Sequence, residues 1–164
     1  MTLPRVVVAV GTDHHPFDRL MRWISVWPEG EIEWFVQHGS SPCPPGARGK
    51  PLLGADELVA EMVDADAVVC HGGPGLLMDA RTAGHRPVVV ARRPDLGEHV
   101  DGHQVEFVTW LGARSAIRVA SDERAFEQQV RAAIADGRGG VGNAPNPVVA
   151  ERFGALVEAL VRRR

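Results

Sequence analysis

Three short apolar runs constrain this chain more than anything else in its sequence: Val6 to Val10, Ala67 to Cys70 and Pro87 to Ala91. Each is rich in valine, unbroken by polar residues and bounded by Gly or Pro. Runs of this kind suit strands buried on both faces of a parallel sheet, where no solvent face demands alternation. A fourth candidate, Ile32 to Gln37, alternates less cleanly, and a fifth, Ala116 to Val119, is short. Helix-length segments lie between them: Pro16 to Trp27, Ala55 to Val63, Pro74 to Ala83, His103 to Leu111 and Asp122 to Ala135. Strand and helix alternating this often predict βαβ units and an α/β fold with a doubly wound parallel sheet.

Local signals agree with this. Ser121 or Asp122 can cap a helix that carries Ala125, Phe126, Val130, Ala133 and Ile134 on one face, and Gly137 follows as a stop. Pro16 and Pro74 sit near helix starts, where proline is tolerated. Two stretches break the pattern. Ser41 to Gly54 is a Pro/Gly loop, long for a compact domain and so a candidate for function or mobility. Gly137 to Pro147 reads as a linker. Beyond it, residues 148–164 form an amphipathic helix with Val149, Phe153, Leu156, Val157 and Leu160 at helical spacing. That helix either folds back on its own domain or docks on a partner. The expected division is therefore a domain over residues 1–136, a linker over 137–147 and a terminal helix over 148–164.

With 164 residues the chain suits one domain. Its 18 basic residues, of which only Lys50 is lysine, face 21 acidic ones, for a net charge of -3. That balance argues against nucleic acid as a partner, which needs a concentrated basic face. The arginine bias suits a GC-rich genome. Two cysteines cannot make a disulfide scaffold. The first residues lack the form of a signal peptide, and no apolar run approaches the ~20 residues of a membrane span. A soluble cytoplasmic protein is expected.

The residues with chemistry fall in three loops, each after a predicted strand, where open α/β sheets gather their ligands. His71-Gly72-Gly73-Pro74-Gly75-Leu76 runs from a buried strand straight into a helix. Glycines there let backbone approach a ligand, and the helix start offers free N–H groups to a phosphate. The spacing is neither GxGxxG nor a phosphate loop with its Lys, so a merely tight turn stays open. Gly11-Thr12-Asp13-His14-His15 follows the first strand; Thr12 either binds phosphate or caps the next helix. Arg92 to Gln104 crowds charge, amide and imidazole into one loop, as a polyhydroxylated ligand would require. Five of the seven histidines (His14, His15, His71, His99 and His103) would rim this site. They lack the spacing of a zinc site, and no metal is expected. No GxSxG elbow is present, and Cys70 and His71 are strand neighbours that point to opposite faces, so hydrolase chemistry fits poorly.

Four ordered segments together resemble the C-terminal domain of family 28 glycosyltransferases: VAVGTDHHPFDRL at Val8–Leu20, FVQHGSS at Phe35–Ser41, ADAVVCHGGPGLLMDARTAGHRPVVV at Ala65–Val90, and RRPDLGEHVDGHQ at Arg92–Gln104. The resemblance covers roughly residues 5–135. It is closest to one-domain catalytic subunits of two-subunit transferases in lipid-linked oligosaccharide and exopolysaccharide synthesis. It implies a Rossmann-like sheet, the donor-binding half of a GT-B architecture, and a UDP-sugar as substrate with no metal or other cofactor. Residue by residue, it places Gly11 and Thr12 near the diphosphate. It sets His71, Gly73, Pro74, Gly75 and Leu76 in the turn facing the phosphates, and Asp79 on the ribose hydroxyls. His103 and Gln104 would read hydroxyls of the donor sugar, Glu98 and Asp101 would lie near it, and backbone around Leu52 and Leu53 would meet the uracil.

The chain departs from the family pattern in two places. Leu76 stands where many relatives have Thr or Ser, and His14 and His15 replace smaller or amide residues. One of this pair, His14 foremost, suits a general base, because imidazole titrates near neutral pH. The resemblance also implies inversion at the anomeric carbon and a lipid-linked glycan acceptor. A membrane-associated partner subunit would bring the acceptor half and hold this chain at the inner face of the membrane. A non-catalytic nucleotide-sugar-binding subunit is the alternative, and a UDP-sugar epimerase a more distant one. The donor sugar is not legible; Arg92 and Arg93 either favour a uronate carboxylate or are solvated loop arginines.

Overall fold

The computed structural model describes residues 1–138 together with residues 154, 155 and 158. Most of the expected linker and terminal helix therefore lie outside the described residues. Six strands form one parallel sheet: β1 (Arg5–Ala9), β2 (Glu33–Gln37), β3 (Arg48–Lys50), β4 (Ala67–His71), β5 (Val88–Val90) and β6 (Arg118–Val119), in the spatial order β3-β2-β1-β4-β5-β6. This is the strand order of a doubly wound, Rossmann-like sheet, and the direction of winding reverses between β1 and β4. The helices are α1 (Asp18–Ser25), α2 (Ala55–Val63), α3 (Pro74–Thr82), α4 (His103–Gly112) and α5 (Glu123–Asp136).

The continuous apolar runs behave as expected of two-sided strands. Val6, Val8, Val69, Val88 and Val90 face one side, where they pack with Leu20, Trp23 and Ile24 of α1 and Phe126 and Val130 of α5. Trp23, Trp27 and Trp34 gather around Phe126 with ring centroids 5.6, 6.1 and 6.3 Å from it. Val7, Ala9 and Val68 face the other side against Leu58 and Met62 of α2 and Ala80 of α3. Cys70 and Val89 continue that face against Leu77, Phe107 and Leu111. Because period-2 side chains are buried on both sides, polar substitution at the buried valines of β1, β4 or β5 strands a polar group in the core.

Helix boundaries follow their local chemistry. Asp122 caps α5, its Oδ1 accepting from Ala125 N at 2.7 Å, and Gly137 ends it with φ +64°. Helix α1 is shorter than its apolar pattern: Pro16 stays outside, and Phe17, buried, takes the position before the first turn. The segment Ser41–Gly54, expected as a loop throughout, contains β3. Its Arg-Gly-Lys has no apolar side chain and is exposed at the sheet edge, so it lacks the apolar run that reveals a strand. Among the described residues no helix is long and apolar enough to cross a membrane.

Candidate functional site

A cavity of about 680 Å³ opens at the carboxyl ends of the strands, where the winding reverses. The loops after β1, β4 and β5 line it, joined by Gln37, Leu52, Leu53, Ala55 and Leu58. Of the residues expected in the site, Gly11, Thr12, His14, His71, Gly73, Pro74, Gly75, Leu76, Asp79 and Gln104 line this cavity. The loop leucines Leu52 and Leu53 do so as well.

The wall from β4 to α3 is made of backbone. Helix α3 begins at Pro74, and its first intrahelical bond runs from Leu77 N to the Gly73 carbonyl at 3.2 Å. The N–H groups of Gly75 and Leu76 precede that bond and point, with the positive end of the helix dipole, toward the cavity. No side chain caps this helix start, which leaves those donors to a ligand or to water. Leu76 itself packs between the apolar clusters under α3, so its side chain belongs to the core wall. Asp79 lies one turn further along the same wall.

His71 is the side chain of this wall. Its Nδ1 accepts from Gly73 N at 3.2 Å, so the ring proton sits on Nε2. Burial pushes its pKa down to about 4, and the nearby charge of Arg92 pushes the same way, so the ring is a neutral donor at physiological pH. The ring nests between two glycines. A Cβ at Gly11, whose φ is +77°, would stand 2.3 Å from Nε2, and one at Gly73 would stand 2.3 Å from Cε1. Glycine at both positions is what lets the imidazole reach the cavity.

The opposite corner is made of charged side chains. Arg92 is fully buried; Nη1 donates to the His15 carbonyl at 2.8 Å and the Glu98 carbonyl at 3.0 Å, and Nη2 to the Val10 carbonyl at 2.8 Å. Its guanidinium carbon lies 4.8 Å from the Phe17 ring centre. One side chain therefore joins the end of β1, its following loop and the loop after β5. Expected as a solvated or carboxylate-reading arginine, Arg92 is instead an internal strut with no exposure to a sugar. The strand parity carried the signal: Val88, Val90 and Arg92 fall on one face at period 2, and that face is buried. Arg93, by contrast, is exposed and paired with Asp95.

Asp13 completes the corner. Its Oδ1 accepts from His15 N at 2.8 Å and His15 Nδ1 at 2.5 Å, and its Oδ2 accepts from His99 Nδ1 at 2.5 Å. Burial alone would raise its pKa, but these hydrogen bonds and the Arg92 charge outweigh it and hold the carboxyl well below its usual range. Sequence reasoning did not pick out Asp13, because its partner His99 lies 86 residues away.

Two expected contacts fall elsewhere. Glu98 is buried at 3% exposure and does not line the cavity. Its oxygens accept from Arg19 Nε and Nη2, each at 2.9 Å, and from Arg93 N at 2.8 Å, so the carboxylate closes the loop instead of facing a sugar. His103 is exposed at the start of α4, paired with Asp101 at 3.0 Å, and also stands off the cavity wall. Gln104 stays on the wall, but its Oε1 is taken by Gly72 N at 3.2 Å and Arg92 N at 3.0 Å, and its side chain also interacts with His71, so it serves first to tie the loop after β5 to the glycine turn.

The comparisons with known proteins fit this arrangement. No curated protein matches the sequence. Among solved structures, a glycosyltransferase of kitacinnamycin is 19% identical with a TM-score of 0.51, aligning over 93% of this chain and 38% of its own. The glycosyltransferase SnogD from Streptomyces nogalater is 18% identical with a TM-score of 0.54, over 96% of this chain and 44% of its own. CalG4, the calicheamicin glycosyltransferase, is 17% identical with a TM-score of 0.54, over 92% and 37%. These likenesses are of fold, that of one Rossmann-like half of a GT-B architecture, and the chain spans less than half the length of each. The sequence profile of the glycosyltransferase family 28 C-terminal domain matches residues 54–138, a stretch running from α2 through the glycine turn and the charged loop to the end of α5. The chain belongs to the glycosyltransferase family 28 C-terminal domain family.

Proposed function

We propose that this chain is the donor-binding catalytic half of an inverting glycosyltransferase that moves a sugar from a UDP-sugar to a lipid-linked acceptor. The observation that carries the reading is the backbone wall: the uncapped start of α3 and the neutral Nε2–H of His71 face one cavity. As an acceptor hydroxyl attacks the anomeric carbon, negative charge grows on the departing diphosphate, and preorganised N–H groups stabilise it without reorganising. Those dipoles take the part that a divalent metal plays elsewhere. Asp79 suits the ribose hydroxyls, and the leucines at 52 and 53 suit the flat face of a base.

The acceptor side is supplied from outside these residues, by a membrane-associated partner subunit that closes over the cavity. The open cavity mouth supports an acceptor side outside these residues, as does the likeness to part of longer glycosyltransferases. Calorimetry with UDP tests the reading. Saturable heat by about 1 mM UDP is expected, a threshold corresponding to only about 4 kcal/mol of binding; no heat from folded protein at that concentration refutes it.

A second reading, a nucleotide-sugar-binding subunit without catalysis of its own, draws on Leu76, whose side chain serves the core where a hydroxyl could have met phosphate. Sugar transfer assayed with the acceptor half separates the two, since the second reading allows UDP binding but no turnover that depends on cavity residues of this chain.

A further inference from the structure

Three imidazoles stand at the mouth of the cavity beside one carboxylate, and they are not equivalent. His14 has a side chain 88% exposed, and its Nδ1 lies 3.9 Å from Asp13 Oδ1, beyond hydrogen-bond range. His15 bonds Oδ1 through both its ring and its own backbone N–H, two residues along the chain, which is the pattern of a side chain closing a local turn. His99 comes from the loop after β5, takes the other oxygen, Oδ2, and is only partly exposed. We infer that His99, oriented by Asp13, is the general base that takes the proton from the acceptor hydroxyl, so that the donor half carries its own catalytic base.

The inference rests on the glycosyl-transfer reading above and redirects the base from His14. An ionised carboxylate only accepts, so His99 Nδ1 carries the ring proton and Nε2 keeps its lone pair. Nε2 is not sealed in the core, since the His99 side chain keeps 21% of its exposure at the cavity. The ring lines the cavity and lies within electrostatic reach of His71, on the wall where the diphosphate would depart. The charged and titratable groups around it are Asp13 and His15 from the first loop, His71 from β4, and Arg92 and Asp101 from its own loop. In the step itself the acceptor O–H proton moves to His99 Nε2 while the oxygen bonds to the anomeric carbon. The bond from that carbon to the β-phosphate oxygen breaks, and its electron pair leaves with UDP. Asp13 holds the imidazolium until the proton passes to water.

The same three residues have ligand-type atoms within 4.8 Å of one another, the geometry of a two-histidine, one-carboxylate metal site. Both Asp13 oxygens already accept ring N–H groups, and the Arg92 guanidinium acts on the same carboxylate, which opposes a second, divalent charge. The general-base assignment is the one these contacts favour.

The test uses the full chain with the acceptor half present and measures UDP affinity and UDP release from a panel of UDP-hexoses. His99→Gln is expected to hold UDP within about threefold of wild type and to release it roughly 100-fold or more slowly, the usual contribution of a positioned base. Asp13→Asn, a positioning change, is expected to lower kcat by less than His99→Gln does while leaving UDP affinity unchanged. His99→Ala, should the glutamine disturb the loop, is expected to regain turnover with added imidazole. Undiminished turnover by His99→Gln overturns the assignment, as does an equal loss in His14→Gln. Turnover abolished by a chelator and restored by zinc ions gives the cluster to a metal instead. UDP binding by wild type with no turnover also overturns the base while leaving the nucleotide reading intact; failure of UDP to bind removes that reading itself.

Discussion

The two walls of the cavity are built by opposite means. The β4–α3 wall offers backbone: glycines, an uncapped helix start and one neutral imidazole, all within Cys70–Asp79. The corner between the β1 and β5 loops offers side chains: a buried arginine, an ionised aspartate and a ring of imidazoles, tied by hydrogen bonds across up to 86 residues of sequence. The first wall is cheap to form because its contacts are local. The second forms only once the sheet has brought β1 and β5 to opposite sides of β4. Loss of the Arg92 strut should therefore fall on stability, and damage to the glycine wall on the ligand.

The strongest way to break that contrast is Arg92→Met. It removes a buried cation from three carbonyls and leaves Asp13 without its charge partner, a loss of about 3–5 kcal/mol by comparison with other broken buried pairs. Urea unfolding checks this. Arg92→Lys keeps the charge without the planar fork and is expected to fall between the two. A midpoint unmoved by Arg92→Met would mean that the corner is not what joins the loops.

The contrast also explains what could be read before the fold was known. The sheet, its helices and the glycine turn were legible because their signals are local: valine runs, a cap at Asp122, a stop at Gly137, a proline at a helix start. The same locality put Gly11 and His71 on the cavity wall, and the family resemblance added Asp79. β3 escaped because an exposed edge strand of two charged residues around a glycine carries no apolar period. Glu98 and Arg92 were misjudged for a different reason. Loop charges read as ligand contacts unless their partners are known, and their partners, Arg19 for one and the Val10 carbonyl for the other, are set by the tertiary fold.

His71 belongs to the backbone wall but has a stability signature of its own. Its folded pKa, about 4, lies below the ordinary value of 6.5, so the unfolded chain binds the extra proton between those pH values. The contribution is complete above pH 6.5 and is lost as pH falls toward 4, by at most roughly 3 kcal/mol at about 1.4 kcal/mol per pH unit. His71→Gln should flatten that part of the curve. Urea midpoints across the range test it, and identical slopes for both proteins would place the ring's proton affinity elsewhere.

Gly11→Ala sharpens the comparison because it strikes the seam between the walls. Its Cβ would press on His71 Nε2 from a backbone with φ +77°, at a cost of about 1–3 kcal/mol. Most of that cost should depend on the ring. In Gly11→Ala/His71→Ala the steric part disappears and only the backbone strain remains, about 1 kcal/mol. A double-mutant cycle measures the coupling, and strict additivity would show that the ring does not nest against Gly11.

The smallest expected effect isolates the ligand from the fold. Asp79 lines the cavity, and within the proposed function its carboxylate accepts from ribose hydroxyls. Asp79→Ala should leave urea stability within about 0.5 kcal/mol, the range for positions outside the core and its networks. UDP affinity should fall about tenfold, near the 1.5–3 kcal/mol scale of a hydrogen bond to a charged group. The sharper measurement pairs the protein change with a ligand change. Wild type should prefer UDP to its 2′,3′-dideoxy analogue, while Asp79→Ala should bind both alike, because the missing hydroxyls have no carboxylate to lose. A mutant that keeps the full preference would move ribose recognition off α3. The backbone wall would then hold phosphate alone, and the nucleoside would have to be read by the segment around Leu52 and Leu53.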